Sequence, residues 1–248
     1  MITIAVSNQK GGVAKTTTAV TLAHGLALKG KRVVAVDLDP QGQDATILGL
    51  EQEPGVFNLL VGGRSLAEVL RSTRRERLWL LPGDKNTATA QIVLDAQRAP
   101  INRLAEALRP LGREFDFVIL DTSPSIGGMQ EQALWAADTV LVPTAVDYLA
   151  TEGVARILET IATLSMRHNW HGTLLGILPT FYDSSTIESK RNLEALQAVY
   201  GAQVLEPIRR ATVLRECASE GKTVWEYQPT SRAAQEYARL LYKVLEVL

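Results

Sequence analysis

The stretch Lys10-Gly11-Gly12-Val13-Ala14-Lys15-Thr16-Thr17 decides the fold. It follows a short β-branched apolar run, residues 2–7, and opens a run of helical character, residues 16–29. Strand, glycine-bearing turn and helix in that order make a phosphate-binding loop, in which successive backbone N–H groups and the positive end of the helix face an anion. The usual pattern asks for Gly, four residues, then Gly-Lys-Ser/Thr. Here Gln9 and Ala14 stand where those glycines belong. Context outweighs the mismatch, because one lysine and two threonines at a helix entrance serve phosphate and Mg²⁺ chemistry. The segment Gly11, Gly12, Val13, Ala14, Lys15, Thr16 and Thr17 is expected around the phosphates of ATP. Lys15 bridges the β- and γ-phosphates in this reading, and the Thr16 hydroxyl ligates Mg²⁺.

Outward from the loop, strand-like runs recur at residues 32–37, 78–81, 115–120, 140–143 and 173–178. Helical stretches lie between and after them, at 101–111, 152–166, 186–200 and 231–248. The alternation predicts an α/β fold, a P-loop NTPase with a mostly parallel twisted sheet covered by helices on both faces. One domain spanning 1–248 is expected, since a chain of 248 residues with 46% hydrophobic content can bury one large core. Asp37 and Asp39 close the second strand, and Asp121 closes the most hydrophobic one. Ligands bind outside the carboxyl ends of the strands in such a sheet, so these acids converge on the loop. Asp121 is expected to hold Mg²⁺ through water, and Asp39, also near the metal, to position or activate the attacking water.

The rest of the composition excludes more than it selects. A single cysteine, Cys217, leaves no internal disulfide and fits a reducing cytoplasm. No run approaches the ~18 apolar residues that a membrane-spanning helix needs. The net charge is −1, so a nucleic-acid surface has to be local or built by assembly. The arginine group Arg71, Arg74, Arg75 and Arg77 reads as a solvated face. His24, on the first helix, reads as packing, and His168 and His171 show no metal-ligand spacing.

With these residues in view, the chain resembles the ParA/MinD family of deviant P-loop ATPases, close to the short Soj-like ParA proteins. The resemblance spans nearly the whole chain. It rests on Asn8-Gln9-Lys10-Gly11-Gly12-Val13 with Lys15-Thr16-Thr17, on Asp37-Leu38-Asp39-Pro40-Gln41-Gly42, and on Asp121. Thr180 to Asp183, Glu216-Cys217-Ala218-Ser219 and Tyr227-Gln228-Pro229 match too. It implies an ATP-sandwich homodimer in which Lys10 reaches the partner's nucleotide as a catalytic cation. It also implies non-specific DNA binding by that dimer, and release when a ParB-type partner or a cargo adaptor stimulates hydrolysis. Thr180, Ile208, Arg209 and Arg210 fall at the nucleotide in this likeness, although relatives usually carry Ile-Pro-Arg-Asn where this chain has Ile208-Arg209-Arg210-Ala211. Ala14, where a glycine is normal, adds a methyl beside the phosphates and removes a residue tolerant of positive φ.

For DNA the candidates are Lys190, Arg191, Arg215 and Lys222, a nucleoid-facing set in an otherwise balanced region; from residue 186 onward nine Lys/Arg stand against eight Asp/Glu. Two alternatives of the same fold are a MinD-like membrane-associated ATPase and a small ATP-dependent biosynthetic ligase. The last helix carries an apolar stripe of Tyr237, Leu240, Leu241, Val244, Leu245 and Leu248, but the charges on its polar face cancel, whereas interfacial helices are rich in Lys/Arg. Core packing is its expected role, and a membrane the less expected partner. A nitrogenase-like iron protein needs cysteine ligands that one Cys217 cannot supply.

Overall fold

The structure is a computed structural model and describes residues 1–125 and 127–248. Its seven strands are β1 (Ile2–Val6), β2 (Val33–Asp37), β3 (Arg71–Ser72), β4 (Leu78–Leu81), β5 (Phe117–Asp121), β6 (Thr139–Ala145) and β7 (Thr173–Thr180). They form one sheet in the order β3-β4-β2-β5-β1-β6-β7. Every pairing is parallel except β3 with β4. Along β5, Phe117 and Ile119 pack to one face while Val118 and Leu120 pack to the other, the two-residue period of a strand buried on both sides.

The helices are α1 (Lys15–Leu28), α2 (Gln43–Leu48), α3 (Val56–Leu60), α4 (Leu66–Val69), α5 (Asn86–Ala96), α6 (Arg103–Leu108), α7 (Gly128–Ala136), α8 (Ala150–His168), α9 (Ile187–Tyr200), α10 (Val213–Ser219), α11 (Val224–Tyr227) and α12 (Arg232–Val247). Helices α1, α2 and α12 cover one face; α3 and α5 to α9 cover the other. The stripe on α12 is core: Tyr237, Leu240, Leu241 and Val244 are buried against the α1 side, while Leu245 is half-buried and Leu248 exposed. No described helix is long and apolar enough to cross a membrane.

The weakly patterned region 51–77 holds short helices and the antiparallel edge strand. Its arginines divide. Arg74 and Arg77 are exposed as expected. Arg75 departs from a solvated reading: its side chain is only 11% exposed and bonds Leu48 O, Gly221 O and the Glu226 carboxylate. A guanidinium with five fixed donors ties three separate segments together there. The run at 101–111 is also shorter than expected, since after Leu108 the chain tightens into a 3₁₀ turn, Arg109–Arg113, with Pro110 in its first turn.

What positions the site is the strand order. From β1 the chain crosses to β2 on one side, and from β5 to β6 on the other, which opens a crevice above their carboxyl ends. Val6 and Asp37 both register with Asp121, so the loop after β1 rises beside two strand-end acids.

Candidate nucleotide site

Two residues fasten the loop. Asn8, fully buried, accepts from Lys10 N (2.9 Å) on Oδ1 and donates to Pro143 O (2.8 Å), and Thr180 Oγ1 donates to Val13 O (3.1 Å). Helix α1 then begins at Lys15, its first turn presenting N–H groups that have no intrahelical acceptor. Ala14 precedes it at φ 65°, ψ 32°, a left-handed conformation with no side-chain cap bond.

A groove of 360 Å³ lies over this turn, lined by Gly11 to Thr17 and by Asp39, Gln41, Gln43, Pro124 and Phe181. A second cavity of 260 Å³ adjoins it, sharing Ala14, Thr17 and Phe181 and walled by Thr180, Ile208, Arg209, Arg210, Arg215 and Tyr237. A groove for phosphates opening into a largely apolar cavity has the form of a nucleotide site. The structure thus brings Lys15, Thr16, Thr17, Asp39, Thr180, Ile208, Arg209 and Arg210 into one place. Arg209 turns its Nε to the buried Glu236 Oε1 (2.7 Å), and Arg210 lies 5.9 Å over the Phe181 ring. Arg215, read from sequence as a DNA contact, stands at the rim of this same cavity. Lys190, Arg191 and Lys222 are exposed away from it.

Beneath the groove the electrostatics are severe. Asp37, Asp44 and Asp121 are almost fully buried. Burial raises the Asp121 pKa well above the carboxylate range, with Asp37 adding to the rise and the Thr16 hydroxyl, donating at 2.7 Å, opposing it. Asp37 is pushed up to about 7, again by burial, although Asp39 N (2.9 Å) and Asp44 N (3.1 Å) donate to it. Asp44 was not singled out by the sequence; both of its oxygens are buried without a partner, and burial and then Asp37 raise its pKa. Lys15, 6% exposed, is pushed down by burial and drawn back by Asp121 and Asp39, and its Nζ donates to Lys10 O (3.0 Å). Burial therefore disfavours charge on both signs until counter-charge arrives. Gly42 and Gly83 let the acidic turn sit this close, since a Cβ on Gly83 would meet Asp39 O at 2.6 Å.

The residues present fit Mg²⁺. The Thr16 hydroxyl and Asp121 carboxylate are in contact, Asp121 Oδ1 is buried without a partner, and hard oxygen donors of this kind suit a cation that keeps several waters. Lys10 does not share this arrangement. Its Nζ pairs with Asp147 Oδ2 at 2.6 Å, beside a cavity lined by Gln9, Pro124 and Leu149, and Lys10 is not among the residues lining the groove. His24, expected to be packing, is buried, with Nδ1 2.7 Å from Thr223 Oγ1. Burial pushes its pKa down to about 4, so its 3.8 Å approach to Glu226 is a contact of a neutral imidazole and not an ion pair.

A family model described as an AAA domain matches residues 1–172. The chromosome-partitioning ATPase Soj of Thermus thermophilus is 42% identical over 243 residues, covering 98% of this chain and 94% of that protein. A solved structure titled cobyrinic acid a,c-diamide synthase of Mycobacterium smegmatis, with bound ADP and magnesium, superposes with a TM-score of 0.85 at 33% identity, covering 99% of this chain and 94% of that one. The apo McdA structure from Cyanothece gives 0.90 at 23% identity, over 98% and 99% of the two chains, which speaks for the fold alone.

Proposed function

The chain belongs to the ParA/MinD family of P-loop ATPases, among its Soj-like members, and works with ATP and Mg²⁺; from that premise we propose a switch that positions DNA or other large cargo through a nucleotide-gated dimer. ATP seats its phosphates over residues 11–17, with Lys15 neutralising the β- and γ-phosphates. Thr16, Asp121 and Asp39 would hold Mg²⁺, which would supply charge neutralisation at the transferring phosphoryl. Asp39, at the edge of the groove, orients the attacking water. The base occupies the cavity edged by Thr180, Ile208, Arg209 and Arg210. Two protomers then face each other across their nucleotides, each supplying Lys10 to the other, and the dimer holds DNA non-specifically through Lys190, Arg191, Arg215 and Lys222. A ParB-type partner or cargo adaptor stimulates hydrolysis and releases it.

One observation carries this reading: Lys10, immediately before the first glycine of the loop, is paired with Asp147 and does not line its own groove, with its side chain 27% exposed. A loop cation that avoids its own phosphates is placed to serve another copy's, and a cation given in trans stabilises transition-state charge only after assembly. The test is fluorescence anisotropy of a labelled random-sequence duplex at fixed salt, with ATP·Mg²⁺, with ADP·Mg²⁺ and with neither, beside light scattering. Binding by an ATP-dependent dimer is expected; a chain that stays monomeric and ignores DNA in all three states defeats the reading. The likeness to the structure titled a diamide synthase favours one other reading, a ligase joining ATP cleavage to amide formation on a carboxylate, whose turnover would need that substrate and be indifferent to DNA.

A further inference from the structure

Phe181 is the residue neither the phosphate chemistry nor the DNA candidates account for. It is bulky, 37% exposed, and held at φ 55°. Large side chains rarely adopt that region, and such outliers persist only where their surroundings hold them. Its ring borders both the phosphate groove and the base cavity, with the Arg210 guanidinium above it.

Hydrogen bonds anchor the chain on both sides of this residue. Behind it, Thr180 is bound to the phosphate loop at Val13 O. Ahead of it, Tyr182 N donates to Ile208 O (3.2 Å) and Arg210 N donates to Tyr182 O (3.0 Å), so the two walls of the base cavity are bonded to each other. Asp183 N then donates to the buried Ser189 Oγ (3.0 Å), while Ser189 N donates to Thr186 Oγ1 at the cap of α9. Lys190 and Arg191 follow immediately.

We propose that Phe181 is the positioning residue through which an occupied nucleotide cavity sets the conformation of the 181–186 turn, and with it the orientation of Lys190 and Arg191 on α9. The inference rests on the reading of those two residues as DNA contacts. A nucleotide base and ribose entering the cavity press on the ring and on Arg210, and the turn has no slack, because both of its ends are bonded. The coupling is a free energy shared by two sites, so DNA tightens ATP by the factor by which ATP tightens DNA.

Two variants of the full-length protein test it. Phe181→Gly removes the ring and the constraint at φ 55°. Ser189→Ala cuts the link at the far end, away from the nucleotide, and leaves ATP affinity within about twofold of wild type, since the coupling and not the site is altered. Affinity for the random duplex is measured with and without saturating ATP·Mg²⁺, alongside hydrogen exchange over residues 183–195. The wild type is expected to gain about 5–150-fold in DNA affinity with ATP, the ordinary size of such couplings, and both variants under about twofold. Phe181→Tyr, which keeps the ring, retains the gain. Retention of the full gain by either Phe181→Gly or Ser189→Ala overturns the inference. Should the wild type bind no DNA in any state, the DNA reading falls by itself and exchange decides the coupling. ATP-induced protection at 183–195 lost in both variants upholds it, and protection kept in either sinks it.

Discussion

Ala14→Gly is expected to make the protein more stable, against the usual direction for a helix-edge glycine. Ala14 sits at φ 65°, ψ 32° with no cap bond, and a Cβ there is close to the next carbonyl oxygen. That conformation costs an L-residue roughly 1–2 kcal/mol that glycine escapes. Against this, glycine loses more backbone freedom on folding, roughly 0.5–1 kcal/mol. At the residue before a first helical turn glycine is also preferred to alanine. The balance is a gain of about 0.5–1 kcal/mol, or about 1–4 °C in Tm for a chain of this size. Urea unfolding of the nucleotide-free protein measures it without interference from ligand. A midpoint that falls, or is unmoved while the slope stays constant, refutes the claim that Ala14 is strained. Because Ala14 also lines both cavities, the variant's nucleotide-induced rise in Tm reports separately on crowding by the methyl group.

Asp39→Ala should bind ATP and accumulate as a dimer that fails to cleave it; single-turnover assays with light scattering check this, and a monomeric variant contradicts the assignment. Lys15→Ala should lose ATP binding, and Lys10→Ala should lose turnover, yet an equimolar mixture of Lys10→Ala with Asp39→Ala, which still binds ATP and dimerises, should recover about a quarter of wild-type activity, because half the dimers are mixed and one of their two sites is complete. Mixed dimers without recovery would put Lys10 back in its own site. Asp147→Asn keeps the Oδ1 that accepts from Leu149 N but releases Lys10, an exposed pair contributing under about 1 kcal/mol, so the ATP concentration for half-dimerisation should drop by up to about fivefold. A rise instead would mean that Asp147 assists assembly. His24, with its pKa depressed to about 4, contributes stability present above about 6.5, the unfolded value, and lost as pH falls toward 4. The loss is about 3 kcal/mol across that window, and a His24→Gln protein should show a correspondingly flatter stability profile in urea titrations.

The parts of the site that could be read from sequence are those fixed by strand ends. Lys15, Thr16 and Asp121 follow from a loop between a strand and a helix and from an acid closing a buried strand, and register does bring Asp121 beside Asp37 and Val6. Asp44 was invisible because an acid in a first helical turn is ordinarily a solvated partner of the helix dipole, and nothing local shows that this one is walled in. Phe181 was invisible for a different reason: no side-chain pattern announces a positive φ in a bulky residue. Helices α3 and α4 span only five and four residues, too few for a 3.6-residue period to register, although Ser65 and Glu68 do form a capping pair. Arg75 misled because a cluster of like charges gives no hint that one member will find three acceptors far along the chain.

The two lysines of one loop explain why a switch can be built from so little. Lys15 is 6% exposed and committed to its own groove, while Lys10, five residues earlier, lies outside on Asp147. The bonded turn between them holds them apart, since Asn8 fixes the start of the loop and Thr180 its middle. A lone protomer can therefore bring one cation to the phosphates but not both, and its acids beneath the groove are costly to ionise until Mg²⁺ enters. Under the proposed dimer, binding, which one lysine and the helix end support, is separated from cleavage, which needs a second copy. In that reading the separation gives the ATP-bound state a lifetime, which a switch cycling between assembly and release requires.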